Sequence, residues 1–285
     1  MSYVNCKLCP RACGADRTAG NTGFCGAPAM AMVAKTMLHK WEEPVLAGQG
    51  GSGAIFFSGC NLGCTYCQNR AISRSITGMP MDGPGLRREM EKLICQGAEN
   101  IDLVTAAPYL PTVLEALKTP VGVPVVYNSG GYEAPAAIEL LAGKVDIYLP
   151  DLKYADPALA KALSNAPDYF SVATAAIKQM VQQVGPVQWQ GEKIKKGVII
   201  RHLILPGNVE NSLKVLDWIG QTFQKGEVLV SLMRQYTPMP GMAAPFDRAV
   251  TEEEYQAVLS WMFLNDLDGF TQEDTAADTC FIPDF

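Results

Sequence analysis

The sequence predicts an α/β protein built on a parallel sheet, and three observations lead there. From residue 54 onward, short apolar runs of strand length alternate with segments of helical period. N-cap residues, prolines and glycines punctuate the alternation where one element should give way to the next. The 285 residues contain no Pro/Gly/Ser-rich linker or charge block that would divide the chain. One main domain over 54–285 is therefore expected, ending in a C-terminal helix, with a small cysteine-rich attachment over 1–53.

Within that attachment, residues 30–44 (MAMVAKTMLHKWEEP) read as a strand or short hairpin leading into the domain, and residues 48–53 (GQGGSG) as its turn. Glu42 and Glu43 in this stretch read as a solvated pair of charges, with a paired-carboxylate site as the alternative. Ala54 to Phe57 is the first strand of the main domain. Asp82-Gly83-Pro84 starts the helix LRREMEKLICQGA, and 100–104 is the second strand. A helix over 111–117, a strand over 124–127, a helix over 134–142 and a strand over 145–149 follow. Asp156-Pro157 opens a helical region to Val184 with a break near Pro167. Strands over 197–205 and 227–232 flank a helix beginning at Asn211. Thr251 with Glu252, Glu253 and Glu254 reads as the N-cap and acidic first turn of the last helix, ending near Leu264. The count is six strand–helix units, short of the eight of a closed barrel.

Composition excludes some partners. A net charge of −6 disfavours nucleic acid, whose phosphates need a basic surface. No apolar stretch approaches the roughly 18 residues that suggest a membrane span. Nine cysteines without a signal peptide suit metal-binding thiols in a reducing cytoplasm better than disulfides.

The cysteines fall into two groups. Directly after the first strand come Ser58-Gly59 and then Cys60, Cys64 and Cys67, with Tyr66 before the last. Three thiolates at this spacing can take corners of one cluster and leave one metal position open, whereas a closed structural site shows a fourth ligand nearby. Upstream, Cys6, Cys9, Cys13 and Cys25 lie within twenty residues among glycines that allow sharp turns. Four soft ligands suffice for a complete site, either iron–sulfur or zinc, in a segment too short for a core of its own. Cys95 and Cys280 read as packed thiols.

The Cys-x3-Cys-x-aromatic-Cys run resembles the signature of the radical S-adenosylmethionine (SAM) superfamily. The resemblance implies a partial (β/α)6 barrel of TIM type, a [4Fe–4S] cluster on Cys60, Cys64 and Cys67, and SAM chelated by the remaining iron and cleaved to a 5′-deoxyadenosyl radical.

In α/β barrels the chemistry gathers at the C-terminal strand ends. There, over most of 54–240, this chain is similar to the pyruvate formate-lyase activating enzyme group. Asp151-Leu152-Lys153 resembles that group's motif near SAM, and Asn128-Ser129-Gly130-Gly131 stands where it carries Asp-Thr-Asn-Gly. The usual Gly-Gly-Glu is replaced by Thr105-Ala106-Ala107-Pro108. The N-terminal cysteine unit, IFFSGCNLGCTYCQN and YNSGGYE resemble an activating-enzyme-like branch.

The cofactor-contacting residues expected on this basis are Tyr66, Asn128, Ser129, Asp151, Lys153, Arg201 and His202, with Tyr236 positioning the radical or packing. Arg201 and His202 are adjacent on a strand, so at most one should point into the barrel. The partners implied are a glycyl-radical enzyme or other peptide substrate, and an electron donor such as flavodoxin or ferredoxin. Direct modification of a peptide or small molecule is the second reading. A non-catalytic metal-binding or electron-transfer protein is the third.

Overall fold

The computed structural model describes residues 2–271, so Cys280 lies outside the described residues. The strands are β1 (Ala31–His39), β2 (Ser52–Phe57), β3 (Met79–Met81), β4 (Ile101–Val104), β5 (Val125–Ser129), β6 (Ile147–Pro150), β7 (Gln188–Gln190), β8 (Lys193–Leu203), β9 (Leu229–Met233) and β10 (Gly269–Thr271). The helices are α1 (Pro44–Ala47), α2 (Arg70–Ser73), α3 (Gly83–Cys95), α4 (Leu110–Ala116), α5 (Pro135–Glu139), α6 (Pro157–Ser164), α7 (Tyr169–Val184), α8 (Val209–Thr222) and α9 (Glu252–Leu264).

The sheet order is β10-β9-β8-β6-β5-β4-β2-β1-β3, with β7 paired to β8. β2, β4, β5, β6, β8 and β9 pair in parallel, and each is followed by helix, which makes the six expected units of an open, partial barrel. β10 extends the parallel run beyond β9. On the other flank β1 is antiparallel to β2, with His39 opposite Ser52. The boundary expected at 53/54 thus falls inside β2, and the sheet takes in the chain from Ala31 onward.

Strand alternation sorts the core into two layers. One face of the strands sends Phe57, Leu103, Tyr127, Tyr148 and Ile200 against the helices in the main core cluster. The other face sends Val126, Leu149, Ile199 and Leu229 into the barrel, where Leu46 of α1 joins them. Residues 43–47 thereby plug the barrel at the N-terminal ends of its strands.

Local signals explain the element ends. Asp82 accepts from the Gly85 amide at 2.7 Å to start α3, whose Leu86, Met90 and Leu93 form the buried stripe. The break near Pro167 is real, because α6 ends at Asn165 in the left-handed conformation and Asp168 opens α7. Cys95, expected to pack, instead sits exposed as the last residue of α3.

At α9 a capping box forms: Thr251 Oγ1 accepts from the Glu254 amide at 3.2 Å, and the Glu254 carboxylate accepts from the Thr251 amide at 2.9 Å. Thr251→Ala is expected to cost about 1 kcal/mol, read as a lower urea midpoint at unchanged m-value.

Candidate metal and cofactor site

β2 is buried along its whole length, and it delivers the cysteine loop to the C-terminal edge of the sheet. The loop is pinned from outside: Asn61 Nδ2 donates to the Tyr132 carbonyl at 2.6 Å, and the Thr65 amide to the Leu163 carbonyl at 2.8 Å. Each sulfur has its own donor. The Leu62 amide reaches Cys60 Sγ at 3.4 Å, Ser164 Oγ reaches Cys64 Sγ at 3.1 Å, and Ser73 Oγ reaches Cys67 Sγ at 3.4 Å. Such donors stabilise anionic sulfur. Without a metal, burial first and then the neighbouring sulfurs of Cys64 and Cys67 push the Cys60 thiol up to about 12. Cationic iron reverses that balance. Among the described residues no three Cys, His, Asp or Glu side chains converge on a single ion. A four-iron cluster does not require this, since its cysteines bind different irons.

Beneath the loop a polar chain descends into the barrel. Lys153 Nζ lies 2.5 Å from Asp151 Oδ2, and its charge is felt at Cys67. Burial alone would lower the Lys153 pKa, but Asp151 outweighs it and raises it; burial would raise Asp151, but Arg201 and Lys153 pull it below the usual carboxylate range. Arg201 Nε donates to Asp151 Oδ1 at 2.8 Å and an Arg201 Nη to Asn128 Oδ1 at 2.6 Å. Asn128 Nδ2 in turn reaches Asp102 Oδ2 at 3.2 Å and Glu42 Oε2 at 3.4 Å. Burial, and then Glu42, holds the Asp102 carboxyl well above its ordinary pKa. Lys153, Asp151, Arg201 and Asn128 are therefore brought together in one hydrogen-bonded chain, and the first of them faces the cysteine loop.

Three expected contacts are placed differently. His202 points the opposite way from its neighbour Arg201, wholly buried, with its ring nitrogens 2.6 Å from the Leu152 carbonyl and 2.8 Å from Ser212 Oγ of α8. It is a satisfied core histidine, pushed down to about 4 by burial, and no ring nitrogen is left for a cofactor. Ser129 alternates with Asn128, and its hydroxyl accepts from the Gly131 amide at 3.2 Å within the turn after β5. Tyr66 is buried under the loop, where its hydroxyl accepts from Tyr154 at 2.8 Å and its ring lies 5.8 Å from that of Tyr236. Tyr154 is also 2.7 Å from Ser164, so Tyr66 supports the Cys64 donor from behind. Tyr236 is buried, with its hydroxyl bound to the Phe246 carbonyl.

Glu42 and Glu43 are the residues that sequence reasoning missed, because both enter the barrel and neither is a solvated charge. Glu43 is 6% exposed and accepts from Ser231 Oγ at 3.0 Å on both oxygens. Thr105, standing where Gly-Gly-Glu was expected, holds φ at 61°, a strained value for a β-branched residue.

Burial, and then Glu42, pushes Glu43 up to about 7. A carboxyl raised in the folded state binds its proton more tightly there than in the unfolded chain. Stability from this group is full below the unfolded value near 4.5 and falls as pH rises towards 7. Glu43→Gln is expected to flatten the stability curve between pH 5 and 7 by about 1.4 kcal/mol per pH unit, measured by urea unfolding. An unchanged slope would show that Glu43 does not hold its proton there.

The comparisons bear on this loop. A family described as a 4Fe-4S single cluster domain matches residues 46–117, which include all three cysteines. An uncharacterized protein of Methanocaldococcus jannaschii is 31% identical over 247 residues, covering 83% of this chain and 67% of the relative. A radical SAM methyltransferase from Sphaerobacter thermophilus superposes with a TM-score of 0.54 at 15% identity, covering 81% of this chain and 69% of that one. The chain belongs to the family of the Methanocaldococcus jannaschii protein, and its barrel shares the fold of the radical SAM methyltransferase.

Streptococcus suis SuiB also matches, at 13% identity and a TM-score of 0.47; 75% of this chain is matched, and it spans 47% of the length of SuiB. The matched family model is that of a single 4Fe-4S cluster, and the three cysteines after β2 lie within the residues it matches. No helix among the described residues is long and apolar enough to cross a membrane.

Proposed function

We propose that Cys60, Cys64 and Cys67 hold the [4Fe–4S] cluster and that Lys153, Asp151, Asn128 and Arg201 form the polar floor on which SAM is oriented. One observation carries this reading: three sulfurs in one strand-end loop, each with its own hydrogen-bond donor, lie above a buried lysine paired to an aspartate. Held by these three cysteines and reduced, the cluster would supply the single electron for cleavage of the SAM C5′–S bond, the source of a 5′-deoxyadenosyl radical.

This chain's residues bind and orient. Lys153 offers its ammonium to the SAM carboxylate or ribose oxygens, and Asp151, held ionised by Arg201, fixes the lysine's position. The buried tyrosine layer of Tyr66, Tyr154 and Tyr236 keeps water from the loop.

The substrate proposed is a backbone glycine of a partner enzyme, from which the radical takes the Cα hydrogen and leaves a glycyl radical. The similarity of the strand-end segments to the activating-enzyme group supports it. Incubation with SAM, reductant and a peptide carrying α-deuterated glycine should put deuterium into 5′-deoxyadenosine. Deuterium-free 5′-deoxyadenosine with every glycine-loop peptide and with the full partner enzyme would move the reading to direct modification of another substrate.

A further inference from the structure

The N-terminal segment is folded without the means to fold itself. Over residues 2–26 the buried side chains are Cys6, Leu8 and Arg17, far too little apolar surface to hold a chain of this length. Its backbone is nonetheless tightly specified. The Cys6 amide donates to Ala15 O at 2.9 Å, the Gly14 amide to Cys6 O at 3.0 Å and the Ala12 amide to Cys9 O at 3.0 Å, winding Cys6, Cys9 and Cys13 into one compact turn. Asn5 and Ala12 are held at φ of 51° and 41°, conformations that an unconstrained chain leaves. Cys25 returns to the same knot: a side chain at Gly23 would put its Cβ 2.3 Å from Cys13 Sγ. All four thiols are free. Neither a core of its own nor a disulfide joins the four thiols to one another.

The knot is also seated on the other cysteine loop. Arg11, between Cys9 and Cys13, donates to the carbonyls of Asn61 at 2.9 Å and Leu62 at 3.3 Å inside that loop, and to Ser164 at 2.9 Å beside it. Its guanidinium lies 4.0 Å from the Phe24 ring centroid and 5.1 Å from that of Tyr132. From the other end of the knot, the Cys25 carbonyl packs so close to Gly59 that a Cβ there would sit 2.7 Å from it. Gly59 immediately precedes Cys60.

We infer that Cys6, Cys9, Cys13 and Cys25 form a second, four-thiolate centre, an iron–sulfur cluster rather than a single zinc because no three of these thiols converge on one ion, whose loading holds the Cys60–Cys67 loop in place through Arg11 and Cys25. A tetrathiolate site supplies the missing folding energy of a small unit directly, because binding and folding are one event. The metal centre stands whether or not Cys60, Cys64 and Cys67 hold a cluster; the coupling rests on that reading.

The test uses the full chain with Cys60, Cys64 and Cys67 all replaced by Ala, purified anaerobically. It should retain about four irons with matching sulfide, and lose them on adding Cys9→Ser. Metal-free triple-Ala protein beside a loaded wild type would overturn the centre.

Because these variants can misfold, thiol alkylation of the loaded wild type is the second arm. Cys9, Cys13 and Cys25 should be protected until metal is stripped, while the exposed Cys95 reacts at once; equal rates for Cys13 and Cys95 would also overturn it. For the coupling, Arg11→Ala should keep the second metal while the first cluster bleaches severalfold faster in air, and an unaltered bleaching rate would refute that half.

Discussion

Cys64→Ala is expected to reduce 5′-deoxyadenosine formation to background, a loss of at least about a thousandfold, equivalent to roughly 4 kcal/mol or more in the barrier. Cys64 is the middle ligand of the three and the most enclosed, at 9% exposure, with its sulfur receiving the Ser164 hydroxyl. Without it two thiolates remain for four irons, and the cluster has no defined open corner. The fold should survive, because removing one sulfur from a loop costs little packing and the loop keeps its bonds from Asn61 and Thr65. A melting curve near wild type with iron content reduced by one cluster is the accompanying result. Full activity in this variant would remove the three-cysteine reading altogether.

Lys153→Met is expected to weaken SAM binding by roughly 10- to 150-fold, the equivalent of losing one charged hydrogen bond of about 1.5–3 kcal/mol. The structure separates this effect from a general loss of stability. Removing a partner from a buried ion pair typically costs about 3–5 kcal/mol because a charge is stranded, yet Asp151 would keep Arg201 at 2.8 Å. The destabilisation should therefore be smaller than for a pair with no second cation. Arg201→Met is the contrast, since it also strands Asn128 and the carboxyl of Glu42. Titration calorimetry of SAM into the reconstituted Lys153 variant decides between the roles. Wild-type affinity with a lowered melting temperature would mean that Lys153 only neutralises Asp151.

Much of this was legible in the sequence because the relevant signals are local. The six parallel strands are buried on both faces and so read as short apolar runs, and α3, α6 and α9 announce themselves through Asp82, Asp156 and Thr251. Asp151 and Lys153 could be placed on one side because the strand geometry carries past Leu149, and they do meet. Alternation also foretold that Arg201 and His202 would part, but not which would face inward, since either residue suits a barrel lumen or a polar niche.

The failures share one cause, long-range packing. Glu42 and Glu43 lie between His39-Lys40-Trp41 and the short apolar run Pro44-Val45-Leu46-Ala47 and carry no periodic signal. They become interior only because the plug of residues 43–47 carries Leu46 into the barrel, against strands distant in sequence. Gly48, Gly50 and Gly51, read as a turn, do lie in the connection between β1 and β2. The strained Thr105 has no sequence signature at all.

The most direct test of the central claim is electron paramagnetic resonance of the dithionite-reduced full chain, with and without SAM, beside a chain whose Cys60, Cys64 and Cys67 are replaced by Ala. The account predicts a [4Fe–4S]+ signal in the full chain, missing from the variant, whose g-values shift when SAM is added, together with 5′-deoxyadenosine in the same sample. A full-chain signal that SAM leaves unchanged, with no 5′-deoxyadenosine formed, would contradict it.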